Sequence, residues 1–189
     1  MPPPPPSLLL FGAQALTLLH RLLDAAAPQE GCGLVLGRRP PPGPGSGAGR
    51  EGEAWLLRQI WPCCNVWEPA VERRRRFAID PREQLHAIRW GRSRGLDVLG
   101  SVHSHPSSAP VPSATDRALA VWPTLMLIRG ASLDPTDPTD PTDPTDPTDP
   151  TDPIDPTHPT GVASTGQELR CWWLEPEAPP LLLPWRMED

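Results

Sequence analysis

The chain has 189 residues, a formal net charge of −6, thirty prolines, two Phe and no Tyr. That length suits one domain, here 1–189, with a proper hydrophobic core. No apolar stretch approaches the eighteen or more residues of a membrane span, so no membrane partner is expected. The acidity is local: residues 134–160 form a near-perfect Asp-Pro-Thr repeat with eight Asp and no basic residue, and the remainder sums to about +2.

In chain order, Ser7 to Phe11 reads as a short strand. Ala13 to Ala26 reads as a helix, with Leu16, Leu18, Leu19, Leu22 and Leu23 at helical spacing, stopped by Pro28. Gly33 to Gly37 reads as a buried strand, with Cys32 a small packing residue before it. A Pro/Gly-rich loop over 39–52 then leads to a second strand, Ala54 to Trp61, forming a hairpin. After the Cys63-Cys64-Asn65 turn, Arg75 to Ile79 reads as an edge strand. Asp80-Pro81 opens a helix, with Asp as cap and Pro at the first position, and its apolar stripe is Leu85, Ile88 and Trp90. Leu96 to Val102 is a strand, a further helix starts at Ser113, and Leu125 to Ile128 and Leu169 to Leu174 are strands. The tail Leu181 to Trp185 docks as one more. In the repeat, Pro at every third position removes donors and disfavours helix in the residue before it, so 134–160 is expected to be a disordered insertion. Strands and helices mix without regular alternation, which gives an α+β (mixed α/β) fold.

All seventeen basic residues are Arg, so no side chain here can accept an isopeptide bond at an ε-amine. The run Arg73 to Arg76 lacks clustered aromatics and reads as a solvated edge, so no nucleic-acid partner is expected. Four Cys, two of them adjacent, make neither a disulfide framework nor a C-x-x-C metal site. The N-terminus has no basic region ahead of its short apolar run, so no signal peptide is expected, and reduced thiols fit a cytoplasmic protein.

The chemistry lies in His103-Ser104-His105-Pro106, followed by Ser113 and Asp116: H-x-H-x7-S-x2-D. Two imidazoles at i and i+2 at the end of a strand point to one side and can grip one metal ion. The carboxylate eleven residues on supplies a third ligand and leaves a fourth position for water, the arrangement of a catalytic zinc site. A nitrogen and oxygen set without thiolate suits zinc or a similar divalent ion. A His-x-His pair alone is a weak signal, and a capping box, Ser113 as N-cap with Asp116 three residues later, also accounts for those two positions. The readings are compatible, because a helix N-terminus can hold a ligand carboxylate rigidly. His20 and His86 fall in expected helices as surface or packing residues, and His158 lies in the repeat.

This spacing resembles the signature of the JAMM (MPN+) metalloproteases: an upstream Glu, then H-S/T-H-x7-S-x2-D. The segment Pro28 to Gly37, with Glu30-Gly31-Cys32-Gly33-Leu34-Val35-Leu36-Gly37, is similar to the E-x-C-G-L-L-L-G stretch of small stand-alone prokaryotic members. The resemblance implies a curved β-sheet flanked by helices, a cytidine-deaminase-like arrangement. It implies one Zn2+ per chain held by His103, His105 and Asp116, with Glu30 as the catalytic proton acceptor, which spacing alone does not pick from the other glutamates. Ser113 would donate to the developing oxyanion, or serve only as the helix cap. The implied bond is an amide or isopeptide after the Gly-Gly tail of a ubiquitin-like or sulfur-carrier protein. The repeat sits where eukaryotic relatives carry an insertion with a second zinc, and it offers no Cys and one His, so no second zinc site is expected. Two other readings are a non-catalytic scaffold of the same fold, disfavoured because all four residues are present, and a hydrolase of a small-molecule amide.

Overall fold

The computed structural model describes residues 4–40, 53–121, 123–131, 161–163 and 167–188. The repeat at 134–160 and residues 41–52 of the Pro/Gly-rich loop lie outside the described residues. In order, β1 is Leu8–Phe11, α1 Ala13–Ala26, β2 Cys32–Arg38 and β3 Ala54–Cys63. A 3-10 turn at Ala70–Arg74 and α2 at Pro81–Arg92 precede β4 at Asp97–His105, and α3 is Ala114–Leu119. Then come β5 at Thr124–Ala131, β6 at Gly161–Ala163, β7 at Gln167–Leu174, β8 at Leu181–Leu183 and β9 at Trp185–Met187.

The strands form one mixed sheet in the order β6-β7-β5-β4-β2-β3-β1-β9. β2 and β3 are the expected antiparallel hairpin, and β4 and β5 run parallel, with α3 in the crossover. The tail bends the sheet almost closed. β8 pairs with β7 near one end and, with only Pro184 between, β9 pairs with β1 at the other. Leu9 N–H donates to the Pro184 carbonyl at 3.0 Å, and Trp185 Nε1 donates to the Leu169 carbonyl at 3.2 Å.

Alternation along β2 sets the layers. Val35 joins the main core with Leu19 and Leu23 of α1, while Leu34 and Leu36 face Ala87 of α2 on the opposite side. The main core also holds Trp55, Trp173 and Trp185. Trp55 meets Trp173 edge-on at 5.5 Å, and Phe11 meets Trp185 at 5.1 Å, so these Trp fill the core. A third cluster, Met126, Ile128, Trp172 and Leu174, lies next to Ala120, just past α3.

Two expectations fail. Arg75–Ile79 forms no strand: one side chain, Asn65, bonds to the Arg76 carbonyl and the Ala78 N–H, replacing the ladder partners that a strand would supply. The stripe of α2 is also displaced. Leu85 is 53% exposed, and the buried positions are Ala87 and Gly91. The helix lies too close to the chain beneath it for a larger residue, since a Cβ on Gly91 would sit 2.9 Å from the Leu96 carbonyl oxygen. Trp90 and Ile79 pack at the margin of that cluster. The short β6 was not anticipated.

Candidate metal centre

The C-terminal end of β4 and the first turn of α3 meet at one point. His103 and His105 are both buried, and Asp116 is buried beside them at the third position of α3. The two imidazole Nε2 atoms are 3.0 Å apart. Asp116 Oδ1 is 3.5 Å from His103 Nε2 and Oδ2 is 3.4 Å from His105 Nε2. Among the described residues this is the one group of three or more His, Cys, Asp or Glu whose ligand atoms converge, all within 4.8 Å of one another.

The surroundings fix each group. His105 Nδ1 is 2.7 Å from the Ala109 carbonyl oxygen, which accepts only, so the proton sits on Nδ1 and Nε2 presents a lone pair to the cluster. Phe77 stacks on the His103 ring at 4.4 Å between centroids. Ser113 and Asp116 form the capping box in full. The Ser113 N–H donates to Asp116 Oδ2 at 2.8 Å, and the Asp116 N–H donates to Ser113 Oγ at 3.1 Å. The cap therefore locks the carboxylate, as well as starting the helix. Burial pushes the His103 pKa down, and the Asp116 carboxylate offsets this only in part. For His105, burial also lowers the pKa, but bonding to Asp116 and to the Ala109 carbonyl outweighs it and raises the value. Burial would raise the Asp116 pKa, yet its contacts with both histidines hold it well below the ordinary carboxylate range.

Glu30 enters from the neighbouring strand. The β2–β4 register sets Cys32 opposite His103, which places Glu30 just before β2 at the same end of the sheet. Ser104, between the two histidines, fastens this segment: its Oγ accepts the Gly31 N–H at 2.9 Å, and its N–H donates to the Gly31 carbonyl at 3.0 Å. Glycine is required at 31, where a Cβ would lie 2.9 Å from the Ala26 Cβ and 3.1 Å from the Leu23 Cα of α1. Glu30 is buried and its Oε2 has no hydrogen-bond partner. Burial raises its pKa to about 8, with His105 pulling down and Asp116 pushing up. Both partners belong to the cluster, so the carboxylate lies within electrostatic reach of it.

The sequence reading missed Asn65. Its Nδ2 donates to the carbonyls of Glu30 (3.1 Å), Arg76 (2.9 Å) and Arg73 (3.5 Å). Its Oδ1 accepts from the N–H groups of Trp67 (3.1 Å) and Ala78 (3.3 Å). The Glu30 N–H in turn donates to the Arg73 carbonyl at 2.7 Å. Asn65 thus ties the loop that carries Phe77 to the backbone of Glu30. The only signal in the sequence is an Asn at the end of a strand. Cys32 is buried and its pKa is pushed up to about 12 by burial, then by Cys63 and Cys64, so it stays a packing thiol. His86 is exposed, and His20 lies half-buried against Arg129.

The donor set asks for a cation. Two imidazole Nε2 atoms and a carboxylate face one point in a buried site, with a second carboxylate close by and no cationic side chain among the groups that meet there. Electron-rich groups crowded in this way are stable around a divalent ion, and the N/O donors fit zinc chemistry. From Asp116 a groove of about 670 Å3 leads away over β4 between α2 and α3, walled by Ile79, Ile88, Leu119 and Met126 and floored by Leu96 and Val98.

Residues 12–142 match the family model described as prokaryotic homologs of the JAB domain. A desampylase from Haloferax volcanii is 36% identical over 110 residues, covering 57% of this chain and 68% of that protein. A desampylase from Pyrococcus furiosus is 38% identical over 53 residues, or 28% of this chain and 38% of that one. The solution structure of a protein from Desulfitobacterium hafniense superposes with a TM-score of 0.63 at 21% identity, over 96% of this chain and 93% of that one. One from Salinibacter ruber gives 0.52 at 22% identity, covering 95% and 92%. At such identities these structures speak for the fold alone.

Proposed function

This chain belongs to the family of prokaryotic JAB-domain homologues, and on that footing we propose that it is a zinc metallopeptidase of JAMM type, an isopeptidase acting on the tail of a ubiquitin-like or sulfur-carrier protein. The convergence of His103, His105 and Asp116 in a buried, electron-rich cluster, with Glu30 beside it, carries the proposal. The relatives named as desampylases support the reading of a peptidase acting on a protein modifier.

His103 and His105 through Nε2, and Asp116 through its carboxylate, would hold the ion. Held there, zinc would supply water activation near neutral pH and Lewis-acid polarisation of a carbonyl. Glu30 Oε2 has no protein donor and a raised proton affinity, which suits a group that takes a proton from the attacking water and passes it to the leaving amine. Ser113 Oγ spends an acceptor lone pair on the Asp116 N–H, leaving its own proton free to donate to the developing oxyanion. Cap and oxyanion donor are therefore roles that one hydroxyl can fill together. The groove gives the Gly-Gly tail a path to the cluster. The site sits in a chain whose described helices are all too short or too polar to cross a membrane.

Metal analysis and cleavage of a Gly-Gly-linked carrier test this together. Wild type and Glu30→Gln should each bind one zinc, His103→Ala and Asp116→Ala should lose it, and Glu30→Gln should lose at least ~100-fold in cleavage. Equal zinc in all four proteins, or full activity in Glu30→Gln, would remove the site as drawn.

A further inference from the structure

The groove that starts at the metal centre ends among arginines. Its far end, at the start of β4, is lined by Arg39 from the end of β2 and Arg92 from the last turn of α2, with Asp97 as the carboxylate there. Arg38 and Arg94 flank it: Arg38 Nε donates to the Gly95 carbonyl at 3.3 Å, and Arg94 lies over the Trp90 ring at 4.2 Å. Arg39 is held over Trp55 at 4.8 Å. Elsewhere among the described residues Arg58, Arg73, Arg76, Arg82, Arg129 and Arg170 are paired with carboxylates, while Arg21, Arg74, Arg75, Arg89, Arg117 and Arg186 are not. Among the described residues Arg38, Arg39, Arg92 and Arg94 also lack a carboxylate partner, and they differ from the other unpaired arginines in being gathered at one end of the groove. Among the described residues that line or flank this end, one Asp stands against four guanidiniums, a positive balance, while the middle of the groove is apolar.

We propose that this end of the groove selects a substrate whose tail carries acidic side chains about six residues before the bond that is cut. This rests on the proposed isopeptidase reading and specifies its substrate. Asp97 and His103 are six steps apart on one strand, which at about 3.3 Å per residue is roughly 20 Å. An extended tail whose last carbonyl lies at the cluster therefore brings its sixth residue upstream to Arg39 and Arg92. The apolar walls between take alternate side chains of the tail. In an isopeptide bond at a chain terminus, only the acyl partner offers such a continuous strand, since the amine partner arrives by a single side chain. Arg suits the role because its planar fork donates two parallel hydrogen bonds to a carboxylate, and Trp55 keeps Arg39 ordered in advance.

The test uses two synthetic fluorescein-labelled peptides ending in Gly-Gly, with Glu or with Lys at positions five to seven before the terminus and otherwise identical. Binding to zinc-loaded Glu30→Gln protein is read by fluorescence anisotropy at about 50 mM salt. The Glu peptide should bind about tenfold tighter, and the preference should shrink at about 500 mM salt. Adding Arg39→Gln and Arg92→Gln should abolish the preference, and Arg39→Glu with Arg92→Glu should invert it. The neutral pair guards against a folding defect in the reversed one. Equal binding of the two peptides, or binding of neither, overturns the proposal. Cleavage of the matching amide-linked fusions by wild type separates the two levels. Cutting both equally well refutes the arginine selection alone, whereas cutting neither with zinc bound refutes the isopeptidase reading.

Discussion

Glu30 offers a measurement that probes the site without any substrate. The residue is 3% exposed, its Oε2 has no partner, and burial lifts its pKa from an ordinary 4.5 to about 8. In metal-free protein below pH 4.5 the group is neutral in both folded and unfolded chains. Between 4.5 and about 8 the unfolded chain releases this proton and the folded one keeps it, so stability falls as pH rises, and above about 8 the loss is complete. The displacement corresponds to roughly 5 kcal/mol, at about 1.4 kcal/mol per tenfold change in proton affinity. Local relaxation around a new buried charge reduces this, so a loss of roughly 2–5 kcal/mol is expected. Urea denaturation of chelator-treated wild type and Glu30→Gln from pH 5 to 8.5 isolates it, because the histidines titrate in both proteins. The difference in unfolding free energy should move in favour of the Gln form by that amount as pH rises. Zinc should flatten the trend, since a neighbouring cation favours the carboxylate. Curves that stay parallel across the range without metal would show that Glu30 is solvated, and the reasoning about its buried position would fail.

Asn65→Ala removes five hydrogen bonds that join the Glu30 backbone to the loop of Phe77. It should cost roughly 2–4 kcal/mol of stability and lower kcat far more than it raises KM, with zinc content retained; an unchanged kcat would make Asn65 a loop staple only. Ser113→Ala should lower unfolding free energy by about 1 kcal/mol through the lost cap and kcat by roughly 10²–10³ through the lost oxyanion donor. The stability loss without the kinetic one would leave Ser113 a cap.

The parts of this site that were legible in the sequence are those that local chain geometry fixes. His103 and His105 are spaced by the strand, Asp116 by a capping box that spans four residues, and a reader needs nothing distant to see either. Glu30 is different. It lies 73 residues before His103, and what joins them is the register that sets Cys32 opposite His103, together with the Ser104 latch on Gly31. No periodicity encodes such a register, so Glu30 could be named only through a family pattern. Asn65 and the failed strand at Arg75–Ile79 share one cause. Arg75–Ile79 reads as an edge strand from its composition, but a strand is defined by where its backbone bonds go, and one amide side chain takes several of them. The α2 stripe fails for a complementary reason. Apolar spacing there points to Leu85, but the helix packs so closely that its inward positions, Ala87 and Gly91, carry almost no side chain and leave little apolar pattern to read. The arginine end of the groove follows the same logic: Arg39 and Arg92 are unremarkable members of an arginine-rich sequence until the start of β4 brings them to one mouth. Their meaning lies in the distance to His103, which only the fold supplies.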